Sequence, residues 1–144
     1  MAANREASGL SVLRVMVGVF FVCEGLTKYA WLFKSDALAA KLAGWQVGAH
    51  EWSAWYLQHV AVPYVSMFAR LVVLGELACG LALVLGVYSR AAALIALVMV
   101  LNFHVASGAL FRVTFLTDGY GLPVLGGLLA LAIGGGRLPW SLRG

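Results

Sequence analysis

The chain has 144 residues, 62% of them hydrophobic and only 11% charged, with a formal net charge of +4 and a mean hydropathy of +0.92. A soluble domain of this size would be about a quarter charged, so the balance points to a single all-α membrane domain whose core is shared with lipid. The few cations are scattered with no basic run and no interleaved aromatics, which argues against nucleic acid as a partner, and the isolated Cys23 and Cys79 form neither a Cys-x-x-Cys pair nor a disulfide framework.

The first residues, Met1 to Ser8, are short and polar, and an apolar run follows from Leu10 to about Phe33. That run exceeds the ~7–15 residue core of a signal peptide and shows Lys28-Tyr29-Ala30-Trp31 in place of a small-residue cleavage site, so it is read as a retained first spanning helix over 10–33. It carries Arg14 near its start and Glu24 and Lys28 in its second half, an i,i+4 pair that shares one face.

Residues 34–65 mix Lys34, Asp36, Lys41, His50, Glu51 and His59 with Trp45, Trp52, Trp55 and Tyr56, and no apolar stretch there is long enough to span. Such a mixture suits the headgroup zone, where an aromatic ring is apolar and its N–H or O–H reaches water. One or two short interfacial helices are expected, near 35–43 and 51–60, broken by Gly44 and Gly48, with Pro63 opening the next helix.

The second spanning helix is expected over 64–87, with Arg70 near one end, Glu76 well inside, and a small-residue stripe of Ala78, Ala82 and Gly86 for close helix contact. A short turn at Tyr88-Ser89 leads to a third helix over 90–107, with Ala92 and Ala96 on one face and Asn102 and His104 late in the span. A loop with Arg112 and Asp118 precedes a fourth helix over 120–134, striped by Gly126, Ala130 and Gly134, and the tail ends with Trp140 at an interface. The architecture is an integral membrane four-helix bundle with an interfacial amphipathic segment between helices one and two. Arg5, Arg14, Arg90, Arg137 and Arg143 fall on the side of both termini, against Lys34, Lys41 and Arg112 opposite, which places the termini in the cytoplasm.

A carboxylate inside hydrocarbon costs at least ~2.5 kcal/mol on insertion scales, so Glu76 calls for a partner. Counting ~1.5 Å per residue puts Glu24 and His104 at ~20 Å, Lys28 and Arg70 at ~25 Å, and Glu76 at ~15 Å from the cytoplasmic ends. Glu24, Glu76, Lys28 and Arg70 sum to zero, and such charges persist in a low dielectric when paired and hydrogen-bonded. His104 and Asn102 complete a network that suits proton handling at Glu76 and His104, or a polar pocket for a quinone headgroup formed by Glu24, Lys28, Arg70 and Asn102. The same network also serves simply to hold four helices in register, with Arg70 and Lys28 snorkelling outward. His50 and His59 share no helical face with a third ligand, so no metal site is expected, and no bound cofactor is evident.

Leu13-Arg14 with Gly18, Phe21, Gly25 and Lys28 resembles the opening signature of the DoxX/DoxD family of small four-helix bacterial membrane proteins. Glu76-Leu77-Ala78-Cys79-Gly80-Leu81-Ala82-Leu83 with Gly86 and Arg90 is similar to its second-helix signature, and Gly134-Gly135-Gly136-Arg137 to its glycine-rich terminus. The resemblance implies membrane redox chemistry: the DoxD branch supplies a subunit of thiosulfate:quinone oxidoreductase, and DoxX proteins are linked to thiol and oxidative-stress systems. Glu24 departs from the pattern, a charge where an apolar or small residue is usual, and the tail lacks the expected Asp. Two functions follow as expectations. One is a subunit of a quinone-linked redox system in the bacterial inner membrane, with quinone as a substrate, a small sulfur oxyanion drawn by Lys28, Arg70 and Arg112, and a protein partner or second copy of the chain. The other is a non-catalytic assembly subunit of a larger membrane complex.

Overall fold

The computed structural model describes residues 2–117 and 119–142, so Asp118 and Arg143 of the expected loop and tail lie outside the described residues. Among the described residues the chain forms helices and no strands: α1 Ala2–Thr27, α2 Asp36–Gln46, α3 Glu51–Tyr56, α4 Val65–Leu85, α5 Ser89–Ala106 and α6 Leu122–Gly134. Three are long and apolar enough to cross a membrane: Arg5–Thr27 within α1, Val65–Leu85 and Ser89–Ala106. The fourth expected span is shorter than read from the sequence. At 13 residues, α6 is ~20 Å long against a hydrocarbon core of ~30 Å, because its regular helix begins only at Leu122, with Pro123 in its first turn.

The first helix is displaced towards the N-terminus relative to its expected bounds of 10–33. It starts at Ala2, since Ala2, Ala3, Glu6 and Ala7 are good helix formers even though the segment is polar, and it stops at Thr27. There Lys28 leaves helical geometry (φ −105°, ψ 9°) and a 3₁₀ turn, Tyr29–Leu32, carries the chain away. The interfacial segment holds two helices as expected, but α2 runs through Gly44 to Gln46. A mid-helix glycine costs only about 1 kcal/mol, and the break falls at Gly48, whose φ of +69° is left-handed. A π-helical turn, Leu57–Ala61, then extends α3. Leu38, Leu42, Leu57, Ala61, Ala69 and Ala106 form a small second core that fastens this segment to the ends of α4 and α5.

The main core lies between α1, α4, α5 and α6, around Phe21, Cys79, Leu83, Ala93, Ala96 and Leu128. Its tightest contact is the crossing of α1 and α4 at Gly18 and Gly80. A Cβ on Gly18 would stand 2.7 Å from the Val84 backbone nitrogen, and one on Gly80 would stand 2.7 Å from that of Val22. The expected stripe of Ala78, Ala82 and Gly86 is not this contact face. Ala78 is exposed, and the face turned to α1 is the one that holds Glu76, Gly80 and Leu83. On α6, likewise, Gly127 packs beside Leu13 and Val17 while Gly126 faces open space. Ala92 and Ala96 of α5 are buried, as their spacing predicts.

Both ends of the described chain meet the α4–α5 turn at one end of the bundle. Ser11 Oγ lies 3.0 Å from the Pro139 carbonyl oxygen, the Leu142 amide donates to the Leu85 carbonyl at 3.0 Å, and Arg90 Nε donates to the Ala132 carbonyl at 3.0 Å. Arg14, expected as a surface marker of topology, is instead completely buried. Its Nη1 donates to the Leu83 carbonyl at 2.8 Å and its Nη2 to the Trp140 carbonyl at 3.0 Å, so the guanidinium adds a donor to the last turn of α4, where the Leu83 carbonyl also accepts from the Gly86 amide at 3.3 Å, and fastens the tail across it.

Gly80→Val is expected to lower the folding free energy by ~1–3 kcal/mol through overpacking at the α1–α4 crossing. Reversible unfolding in mixed detergent micelles measures it, with Gly126→Ala, whose added methyl meets nothing within 4 Å, as the variant that shows no such loss.

Candidate functional site

Glu24 and Lys28 lie one turn apart on α1, and the Gly18–Gly80 crossing brings Glu76 of α4 against them. Gly25 assists this approach, since a Cβ there would sit 2.8 Å from Leu77 Cγ and 3.3 Å from Glu76 Cβ. The result is a carboxylate–ammonium–carboxylate triad. Lys28 Nζ donates to Glu24 Oε2 at 2.8 Å and to Glu76 Oε1 and Oε2 at 2.8 and 2.9 Å. The ammonium thus bridges the carboxylate of its own helix and that of α4. Side-chain exposure falls from 27% at Glu24 through 15% at Lys28 to 7% at Glu76, so the triad runs from a wetter outer carboxylate to a buried inner one.

Beside the triad is a cavity of about 450 Å³, bordered by Glu24, Lys28, Glu76 and His104 and walled by rings including Phe20 and Phe103. His104 is buried. Its Nε2 lies 3.0 Å from the Tyr120 carbonyl oxygen and its ring meets Phe115 edge-on at 5.1 Å. A carbonyl only accepts, so Nε2 carries the hydrogen, and in the neutral ring Nδ1 keeps the lone pair.

Two of the expected residues lie elsewhere. Arg70 is exposed and donates from Nε to the Leu32 carbonyl at 3.3 Å, outside the triad. Six positions separate it from Glu76, which turns the two about 120° apart around α4. Asn102 is two positions from His104, on nearly the opposite side of α5. Its Oδ1 accepts the Tyr56 hydroxyl, and it lines a separate cleft of about 260 Å³ with Phe68 and Met99 between α4 and α5. Burial pushes the Tyr56 hydroxyl above its ordinary pKa.

Lys41 stands in the place expected for Arg70. It projects from α2 to the cavity border with Trp45, its ammonium 5.8 Å from the Trp45 ring and 6.0 Å from the Trp31 ring, distances of cation–π attraction. Its charge acts on Glu76. With it, two carboxylates and two ammonium groups border the cavity. The signal for Lys41 is the i,i+4 spacing to Trp45, and that for Arg14 is its position one turn before Gly18 on the packed face of α1. Among the described residues no three His, Cys, Asp or Glu side chains gather to hold a metal ion, and His59 stacks on Trp55 at 5.3 Å.

The DoxX family model matches residues 9–109, a stretch that contains Glu24, Lys28, Lys41, Glu76 and His104. No match to the chain is found among curated proteins or among solved structures.

Lys28→Met leaves two carboxylates facing each other at membrane depth and is expected to cost about 3–5 kcal/mol of stability, largely recovered by adding Glu24→Gln and Glu76→Gln to it; detergent unfolding of the single and triple variants measures this. For Tyr56 the neutral form is favoured in the folded state, so its stabilising contribution is present below the unfolded-state pKa and is lost as pH rises through the raised folded value. The phenolate absorbance near 295 nm, taken as wild type minus Tyr56→Phe, is expected to appear only above the ordinary pKa of about 10.

Proposed function

The chain belongs to the DoxX family, and from that premise we propose that it is a membrane subunit of a quinone-linked redox system, with the cavity beside Lys28 as the site for the quinone headgroup. The observation that carries this reading is the triad of Glu24, Lys28 and Glu76 set against an aromatic-walled cavity that also holds His104. A planar ring with two polar oxygens matches aromatic walls and a few convergent polar groups, and about 450 Å³ is within the range of small-molecule sites.

Reduction of a quinone takes two electrons and two protons. The residues here supply the proton side: Lys28 engages both oxygens of Glu76 but only Oε2 of Glu24, so Glu24 Oε1 is outside the triad's bonds, and His104 Nδ1 offers a second basic atom. Electrons come from a donor molecule or a partner subunit. Oxidation of a small sulfur species such as thiosulfate is the narrower form of the reading. The bacterial cytoplasmic membrane, with both termini inside, accords with Arg5, Arg90 and Arg137 at the end of the bundle that holds the termini. A second reading, a non-catalytic assembly subunit, draws support from the fact that Lys28 joins a carboxylate of its own helix to one of α4, as a purely structural clamp would.

Quinone reduction by the purified chain, alone and with candidate partners, separates the readings. Glu24→Gln and His104→Ala are each expected to slow turnover by about 10²-fold, the lower range for loss of a proton-transfer group, with association unchanged on size-exclusion chromatography. Intact turnover with lost association would establish the assembly reading instead.

A further inference from the structure

Within the proposed ligand cavity, the polar side chains differ in what they still have to give. Lys28 already contacts Glu24 and both oxygens of Glu76, and the Nε2 hydrogen of His104 is directed to the Tyr120 carbonyl. Lys41 is different. It borders the same cavity, among the described residues it makes no hydrogen bond or ion pair, and its ammonium lies over the rings of Trp31 and Trp45. A ring face satisfies the charge of an ammonium group but takes up none of its directed hydrogen-bonding capacity as an oxygen would. Lys41 is also exposed on its outer side, so an incoming group reaches it from the membrane surface without disturbing the triad.

We infer that Lys41 is the recognition residue of this cavity and that the planar ring system it seats, quinonoid or aromatic, carries an anionic group: a one- or two-ring body between the aromatic walls, with a carboxylate, sulfonate or similar anionic oxygen group bound by the Lys41 ammonium at the mouth. Charge placement sets the orientation. Glu24 and Glu76 lie on the triad side of the cavity and repel an anionic group from it, while Lys41 on α2 attracts one, so the ring points inward and the anion outward. Size and surface select against a small inorganic oxyanion, which would leave most of about 450 Å³ and the rings of Phe20 and Phe103 unfilled. The inference rests on the reading of the cavity as a ligand site, but not on redox chemistry.

The test therefore uses redox-inert probes that share one ring system, one anionic and one neutral: 2-naphthoate and 2-naphthol, titrated calorimetrically into the full chain in lipid nanodiscs, with empty nanodiscs subtracted. The wild type is expected to bind 2-naphthoate at least about tenfold more tightly than 2-naphthol, the low end for a hydrogen bond to a charged group. Lys41→Gln is expected to abolish that preference while leaving the 2-naphthol affinity within about twofold, and Lys41→Arg to restore it. An unaltered melting curve for Lys41→Gln shows that the fold is retained. The inference is overturned if Lys41→Gln keeps the preference, if the wild type binds neither probe, or if inorganic sulfate displaces 2-naphthoate at equal concentration. Loss of quinone turnover as a property of the chain, with the Lys41-dependent preference intact, refutes the redox reading alone; the converse pattern refutes this inference alone.

Discussion

A lysine at membrane depth has to be answered, and Lys28 is answered twice. Its ammonium holds Glu24 from its own helix and both oxygens of Glu76 from another. Neither carboxylate would be tolerable there without it, and Lys28 would be equally costly without them. The bond to Glu76 exists only because α1 and α4 approach almost to backbone contact, and that approach exists only because Gly18 and Gly80 present no side chains to each other. Two glycines and three charges are thus one unit. The cavity borders the same unit, with Phe20, Phe103 and His104 among its walls beside Glu24, Lys28 and Glu76.

Arg14, fully buried, is held in a contrasting way. Its guanidinium donates to the carbonyl oxygens of Leu83 and Trp140. Carbonyl dipoles cannot exchange protons, so Arg14 is chemically inert: it closes the C-terminal turn of α4 and binds the tail. Gly86 makes room for it, since a Cβ there would collide with the guanidinium, and its φ of +69° turns the chain towards Ser89. One end of the bundle is therefore locked by a cation among carbonyls, and the other keeps its cation among titratable groups beside open space. The asymmetry gives the first end a fixed clamp and leaves ionisable groups beside a cavity at the second.

How much of this was legible in the sequence depends on the range of the interaction. Glu24 with Lys28 was legible because i,i+4 spacing is local, and the need for a partner at Glu76 followed from solvation alone. The choice of that partner was not. Height along the helices allowed Arg70 as well as Lys28, but height says nothing about rotation, and six residues of α4 carry Arg70 off the packed face. The same blindness to rotation gave Asn102 to the wrong side of α5 and chose Ala78 over Gly80. Lys41 was missed for another reason: it belongs to a segment read as lying on the membrane, and nothing in its own sequence neighbourhood says which part of the bundle that segment covers. The outer limit of α6 was overread because Tyr120 and Gly121 continue an apolar pattern without continuing the helix.

The surface segment consequently carries more of the site than its composition suggests. Tryptophan-rich interfacial helices are ordinarily explained by their affinity for the headgroup zone, which would leave α2 free to slide over the bundle. It is not free. Leu38 and Leu42 are buried against Leu57 and Ala61 of the π-helical turn and against Ala69 and Ala106 of the spanning helices, and Ser53 Oγ donates to the Val105 carbonyl at 2.7 Å. These contacts set the register of α2 independently of lipid, and Lys41 and Trp45, on the same helix, inherit that register at the cavity border. A fourth charge is in this way placed near the triad by apolar packing several residues away. The charge balance that the sequence required at membrane depth is thus completed by a residue of α2.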